Sequence, residues 1–173
     1  MEKRKTNFVG FLGLLVLLLS VSPLMAQVTK NVTFQVTLAE WYDLYISQST
    51  ITFTDVAPSP AQSPATVQIP ANEGPVNVRA FAIMVPASSL TLTVVANSDF
   101  HTTVPASTVS WTVTGAGYQA GNLINGNAVT VGSWSGSILH WHEGTLNFSF
   151  LRDYATQEPG TYSITATYTL SKV

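Results

Sequence analysis

Two histidines with one residue between them form the only local group in the sequence that could hold a metal ion. His140 and His142 flank Trp141 and are followed by Glu143. On a β-strand, side chains two residues apart project from the same face, which would direct both imidazoles at one Zn²⁺ or Cu²⁺ ion. The alternative is that the pair lies in an exposed turn or on a solvated strand edge. A stable site needs a third ligand, which the sequence does not place nearby, so we predict no cofactor.

The hydroxyl and carboxylate side chains form no catalytic pattern. Nucleophilic catalysis requires a serine or threonine hydrogen-bonded to a histidine that an acid orients, and a chain this rich in hydroxyls can meet that requirement by chance. The sequence contains no Gly-x-Ser-x-Gly motif. Paired carboxylates could hydrolyse glycosides, but the 8 acids after residue 26 are about as many as an ordinary surface carries. We therefore predict that the protein is not an enzyme.

The tryptophans raise the possibility of carbohydrate binding, because sugar rings stack on exposed aromatic faces. Trp41, Trp134 and Trp141 are the candidates for stacking, and Trp134 and Trp141 flank a predicted turn where both could be exposed. Trp111 stands in the middle of an alternating apolar run and is predicted to pack in the core. The alternative is that all four tryptophans are ordinary core and rim residues.

An apolar segment near the N-terminus predicts export. Charged residues 2–5 precede an apolar run over residues 8–19, and Ala26 is a small residue suited to signal peptidase. The run is shorter than the roughly 18–20 apolar residues of a membrane-spanning helix. An uncleaved anchor, or a pilin-type leader cut at Gly10-Phe11, remains an alternative. We predict a signal peptide over 1–26, a domain over 27–173, a secreted or cell-surface (extracytoplasmic) location, and no membrane association after cleavage.

The composition of residues 27–173 excludes several partners. These 147 residues include 4 Lys or Arg, 8 Asp or Glu and no cysteine. So few basic residues exclude binding to nucleic acid or to an anionic membrane. Without disulfides, packing and sheet hydrogen bonds must stabilise the fold. Thr and Ser make up 36 of the 147 residues, which indicates a surface of hydroxyls in place of charges.

The elements that position these side chains are predicted to be β-strands. Apolar and polar residues alternate from Val28 to Leu38 and from Thr161 to Ser171. Further strands are predicted at 41–47, 50–55, 66–69, 76–85, 90–96, 108–114, 128–134 and 145–151, with Gly, Pro and Asn turns between them. Short strands at intervals of roughly 8–12 residues are typical of a sandwich or a barrel. We predict the all-β fold class, as a single immunoglobulin-like β-sandwich, with a barrel as the alternative.

The last predicted strand resembles that of known exported proteins. The run Pro159-Gly160-Thr161-Tyr162, continuing to Tyr168, resembles the closing strand of bacterial pilin-like and spore-coat-U-like β-sandwiches, whose last strand commonly follows a Gly-Thr-Tyr turn. The segment from Ile51 to Pro58 is similar to their early Phe-containing strand. This chain lacks the disulfide that many of those proteins have. The resemblance implies an exported β-sandwich.

The two terminal strands lack the charges that usually protect a sheet edge. Lys30 is the only charged residue from 29 to 38, and residues 161–171 have none. If the strands pair within their own sandwich, no edge is left open. If the first strand instead completes a neighbour's sheet, its apolar side chains would fill pockets there; they are Val32, Phe34, Val36 and Leu38.

Strand addition repeated head to tail does not close and yields a fibre. We therefore predict a non-enzymatic structural or adhesive protein of the cell surface, a fibre or coat subunit that assembles by β-strand addition. Its partner would be another copy of itself or another cell-surface protein. The alternative is a carbohydrate-binding β-sandwich module whose ligand is a polysaccharide.

Overall fold

The chain divides into two units, residues 1–37 and residues 38–173. The computed structural model describes residues 29–56, 65–84, 88–136 and 139–173. The predicted signal peptide over residues 1–26 lies outside the described residues. Of the first unit, the structure therefore describes residues 29–37.

The described part of the second unit contains nine strands and one short 3-10 turn, Ala106–Thr108. Within those residues, no helical segment is long and apolar enough to cross a membrane. The strands are β1 Trp41–Ile46, β2 Thr66–Pro70, β3 Val76–Ile83, β4 Ser89–Ala96, β5 Val109–Thr114, β6 Gly121–Asn122, β7 Val129–Ser135, β8 His142–Asp153 and β9 Ala166–Lys172.

The strands form two antiparallel sheets. The first sheet has the order β1-β3-β8-β5-β6, with β2 also paired to β8, and the second has the order β7-β4-β9. The predicted all-β sandwich is confirmed. It forms because the alternating sequences give each sheet one apolar face, and two such faces exclude water only when they pack on each other.

The core lies between β3 of the first sheet and β4 of the second. Every second residue of each strand is buried, and the side chains of Val78, Ala80, Leu90 and Leu92 have no exposed surface. The intervening residues of β3 are exposed or only partly buried, as the period of two requires. These two central strands therefore set the spacing of the sheets.

Strand β8 organises the first sheet because it is 12 residues long and has neighbours on both sides. Its first half pairs with β3, in a register that places Val76 opposite Leu146. Its second half pairs with β2, where Thr66 lies opposite Asp153. β2 and β3 therefore lie end to end along the same edge of β8, and β5 covers the other edge.

Two predicted strands are wrong. Residues 29–40, which include most of the predicted strand Val28–Leu38, contain no strand and are all exposed. Residues 50–55 also contain none, although the Thr52 carbonyl accepts a hydrogen bond from the Asn72 amide at 2.9 Å. Alternation indicates a face that can be buried, but a strand forms only where a neighbouring edge supplies backbone partners. β6 was not predicted, and β9 begins five residues later than expected.

Candidate functional site: the open seam of the sandwich

The two sheets meet along two lateral seams. On one side, β6 of the first sheet lies beside β7 of the second, and we call this the closed seam. On the other side, β1 of the first sheet lies beside β9 of the second, and we call this the open seam. Apolar side chains line both seams, but they differ in how completely those side chains are covered.

Large aromatic side chains fill the closed seam. Trp111 is 2% exposed, and its indole Nε1 donates a hydrogen bond to the Gln119 carbonyl at 2.9 Å. Trp134 is 7% exposed and donates from Nε1 to the Ala116 carbonyl at 2.8 Å. Each indole therefore buries its ring and still satisfies its single donor, as buried tryptophans require.

Tyr118 joins the closed seam to the first sheet. Its hydroxyl donates to the carbonyl oxygens of Val78 and His142, at 3.0 and 2.8 Å. Burial, with a smaller contribution from the negative charge of Glu143, raises the pKa of Tyr118 to about 12. The hydroxyl therefore remains protonated and continues to donate over the whole physiological pH range. Its ring packs edge-on against Trp134, with ring centroids 5.0 Å apart.

The open seam, in contrast, is incompletely covered. None of the inward-facing apolar side chains along β1 and β9 is buried, although all of them pack against the core. The same holds for the apolar residues that follow β1 and precede β9. These partly buried residues are Tyr42, Leu44, Ile46, Ile51, Phe53, Ile164, Ala166, Tyr168 and Leu170. The seam thus leaves a line of partly exposed apolar side chains along one side of the sandwich, which we call the apolar groove.

β9 also has an unpaired edge. Its only neighbour among the described strands is β4, with which Val173 and Ser89 exchange backbone hydrogen bonds at 2.8 and 3.2 Å. In an antiparallel pair, alternate residues direct their N–H and C=O groups to opposite sides. Odd-numbered residues of β9 therefore bond to β4, whereas even-numbered residues from Ala166 to Lys172 direct these groups toward the open seam.

One ion pair marks an end of the open seam. The Lys172 ammonium lies 2.6 Å from Glu40 Oε1, and the Tyr42 hydroxyl donates to Glu40 Oε2 at 2.9 Å. The hydrogen bond that Lys172 donates to the Glu40 carboxylate raises the pKa of Lys172 above its ordinary value. Exposed ion pairs of this kind add little stability. The rest of the seam, from Leu170 back to Ile164, carries no charge on β9 or on the residues before it.

The predicted assembly residues are exposed. Val32, Phe34, Val36 and Leu38 are 71%, 92%, 78% and 85% exposed. Polar residues alternate with them, so one side of residues 32–38 is apolar throughout. A short apolar stripe in water, without backbone partners in a sheet, has the properties of a strand that lacks its sheet.

The predicted metal ligands are adjacent but incomplete as a site. The rings of His140 and His142 lie 4.6 Å apart, and the His142 ring stacks on Trp134 at 5.0 Å. Nε2 of His142 is buried without a hydrogen-bond partner. Burial, and to a smaller extent the charge of His140, lower the pKa of His142. No group of three or more metal-ligating side chains occurs within the described part of the chain.

Of the three predicted glycan-stacking residues, Trp41 and Trp141 lie on the same face of the first sheet and Trp134 does not. Trp134 is buried, because β7 directs its side chain into the closed seam, so it is not exposed beside Trp141 as expected. Trp41 and Trp141 are 56% and 39% exposed, and both contact the ring of Phe81. Phe81 was not among the stacking residues predicted from the sequence. Its position in the alternation of β3, opposite Asp43 of β1, was the available signal.

Comparison with known proteins adds no relative, since no family model, no curated protein and no solved structure matches this chain. The proposals that follow therefore rest on the geometry and chemistry of the described residues.

Proposed function

We propose that this protein is an exported, non-enzymatic structural or adhesive subunit of the cell surface that assembles by β-strand addition. In this assembly, residues 29–38 of one copy occupy the open seam of the next. The observation that carries the proposal is the open seam itself, where apolar side chains remain partly exposed beside an unpaired strand edge. The resemblance of the last strand to pilin-like and spore-coat-U-like sandwiches supports the same function.

The segment and the groove match in period. Four apolar side chains recur at every second position from Val32 to Leu38, and four more recur at every second position from Ile164 to Leu170. A strand added antiparallel to β9 would accept and donate backbone hydrogen bonds along its unpaired edge. Its apolar side chains would then point into the groove and cover the inward residues of β1 and β9.

The contact is of the kind that yields a fibre. The donating segment and the accepting groove are different surfaces, so each copy can donate to one neighbour and accept from another. Such a heterologous contact continues indefinitely unless its rotation closes a ring. Main-chain hydrogen bonds would supply affinity, and the spacing of the side chains would set the register.

Light scattering on the chain from Gln27 to Val173 tests the proposal. Phe34→Asp places a charge among the groove-filling side chains, whereas the matched control Gln35→Asp places the same charge on the opposite side of the segment. We expect a ladder of multimers for the unmodified chain and the control, and a folded monomer for Phe34→Asp. A chain that stays monomeric at high concentration, and unfolds when Phe34 is replaced, would show that the segment belongs to its own core.

Disulfide trapping locates the contact, because the chain has no cysteine of its own. Chains carrying Val36→Cys are mixed with chains carrying Leu170→Cys under mild oxidation, and we expect a cross-linked pair. Gln35→Cys is the control, since its thiol would point away from the groove. Equal cross-linking by both variants would contradict insertion of the segment into the open seam.

A further inference from the structure

The outer face of the first sheet carries three aromatic rings in a row, of which the outer two are exposed and the central one is partly buried. Trp41 of β1 and Trp141, just before β8, lie on either side of Phe81 of β3. The ring centroids are 5.6 Å apart for Trp41 and Phe81, and 5.3 Å apart for Phe81 and Trp141. The three rings thus contact one another in sequence, inclined by 66° between Trp41 and Phe81 and by 42° between Phe81 and Trp141, and we call them the aromatic row.

A polar row runs beside the aromatic row, one step further along the same strands. Arg79 of β3 lies between Tyr45 of β1 and Glu143 of β8 in the register of the sheet. The Arg79 guanidinium is 3.2 Å from the Glu143 carboxylate and lies over the Tyr45 ring at 5.8 Å. The side chains of Arg79 and Glu143 are 51% and 61% exposed, so their remaining donors and acceptors face solvent.

A shallow depression adjoins the polar row. Its rim consists of Asn77, Arg79, Glu143 and Thr145, and its floor is the backbone where β3 meets β8 at Gly144. Its volume is about 270 Å³, which is below the roughly 300–1,000 Å³ typical of small-molecule sites. The depression therefore suits one small polar group better than a large ligand.

We propose that this face binds a neutral polysaccharide. Sugar rings present apolar C–H faces and polar hydroxyl rims, so they require aromatic surfaces beside hydrogen-bonding side chains. The aromatic row would stack on successive rings, and the polar row with its depression would bind their hydroxyls. Binding on this face is independent of strand addition, because none of its side chains points into the open seam.

The charges on this face favour a neutral ligand. Arg79 and Glu143 neutralise each other, and the remaining charged side chain beside Phe81 is the acidic Asp43. An anionic polysaccharide would therefore meet a weakly negative surface. A protein partner is disfavoured too, since the centres of protein interfaces are depleted of charged residues, whereas this face carries charges directly beside its rings.

The outer face of the second sheet differs from this surface. Its outward-facing residues in β4 and β9 are mostly hydroxyls, such as Thr91, Thr93, Thr167 and Thr169, with no aromatic ring and no charge among them. It therefore offers hydrogen bonds but nothing on which a sugar ring can stack. This face provides the control for the binding experiment.

Binding is tested with the monomeric Phe34→Asp variant, so that failure to assemble and failure to bind sugar are measured separately. The probes are insoluble cellulose and chitin, soluble β-1,3-glucan and mannan, with polygalacturonate as the anionic control. The amount of protein depleted from solution is measured for each. We expect at least one neutral polysaccharide to bind, with little or no binding to polygalacturonate.

Substitutions then locate the site. Trp141→Ala and Trp41→Ala should each weaken binding about tenfold, as expected when a stacking ring is lost, and Trp41→Tyr should restore most of it. Glu143→Gln should weaken binding less, and Thr169→Ala on the other face should leave it unchanged. Absence of binding to every neutral probe, stronger binding to polygalacturonate, or equal losses in Trp141→Ala and Thr169→Ala would each overturn the proposal.

Discussion

The closed and open seams of the sandwich both bring an edge of one sheet beside an edge of the other, but they differ in how far their apolar side chains are covered. At the closed seam, the loop between β5 and β6 carries Tyr118 across the gap, where it packs on Trp134. At the open seam, the inward side chains of β1 and β9 remain partly exposed. One side of the molecule therefore buries its apolar side chains, whereas the other leaves them partly exposed.

The two seams differ in hydrogen bonding as clearly as they differ in burial. Each polar atom of Trp111, Tyr118 and Trp134 has a backbone carbonyl partner. At the open seam, one edge of β9 presents backbone donors and acceptors that no described strand pairs. Unpaired strand edges are sites of association. Both the backbone groups along this edge of β9 and the partly exposed apolar side chains beside them would suit an added β-strand.

The largest difference between the seams is expected from removing one aromatic side chain at each. Trp111→Ala should cost about 3–5 kcal/mol, because it leaves a cavity in the closed seam and removes the partner of the Gln119 carbonyl. Tyr168→Ala at the open seam should cost less than Trp111→Ala, because the Tyr168 side chain is partly exposed, although it is buried enough to raise the pKa of its hydroxyl to about 12. Urea unfolding in the monomeric Phe34→Asp background measures both. Equal losses would contradict the distinction between the seams.

A synthetic peptide of residues 28–39 should stabilise the same monomeric variant by filling its open seam. The gain is about 2.7 kcal/mol when the peptide is present at 100 times its dissociation constant. Thermal unfolding at increasing peptide concentration measures it. A peptide with Phe34→Asp is the matched control, and a similar shift with both peptides would show that the groove does not select the apolar stripe.

Removing one tyrosine hydroxyl should lower the free energy of unfolding at the closed seam but not at the open seam. Tyr118→Phe leaves the buried carbonyls of Val78 and His142 without this donor and should cost about 1–3 kcal/mol. Tyr42→Phe at the open seam removes a hydroxyl that donates to the exposed Glu40, so water can replace it and stability should not change measurably. The midpoints of urea unfolding compare the two. A larger effect for Tyr42→Phe would contradict this account.

The smallest expected effect is a dependence of stability on pH at the edge of the closed seam. Because burial lowers the pKa of His142, the unfolded chain, with a pKa of about 6.5, takes up a proton at a higher pH than the native protein. Stability should therefore fall as the pH decreases through about 6.5, until the lowered native pKa is reached.

His142→Gln should remove this contribution, and His101→Gln is the control, since His101 lies against Tyr162, away from His142. The readout is the difference between unfolding midpoints at about pH 7.5 and 5.5, a range that brackets the ordinary titration of histidine. An unchanged difference in His142→Gln would show that another group causes the dependence.

Much of the fold could be predicted from period and turn residues alone. The alternation of β3, β4 and β9 is clear in the sequence, and so is the burial of Trp111. The absence of a strand at residues 29–38 could not be predicted, because apolar and polar residues alternate there just as they do in β3. Two further features could not be predicted, because both depend on the register between distant strands. They are the burial of Trp134 and the ring contacts of Phe81 with Trp41 and Trp141.

By itself, the sequence determined that the chain forms pleated strands with one apolar and one polar face, because side chains alternate along an extended backbone. The tertiary structure alone decided which of those apolar faces are buried. Val78 and Phe34 both occupy alternating apolar positions, yet one has no exposed surface and the other is 92% exposed. Burial requires a second sheet and an adjacent strand, and these are supplied by residues far away along the chain.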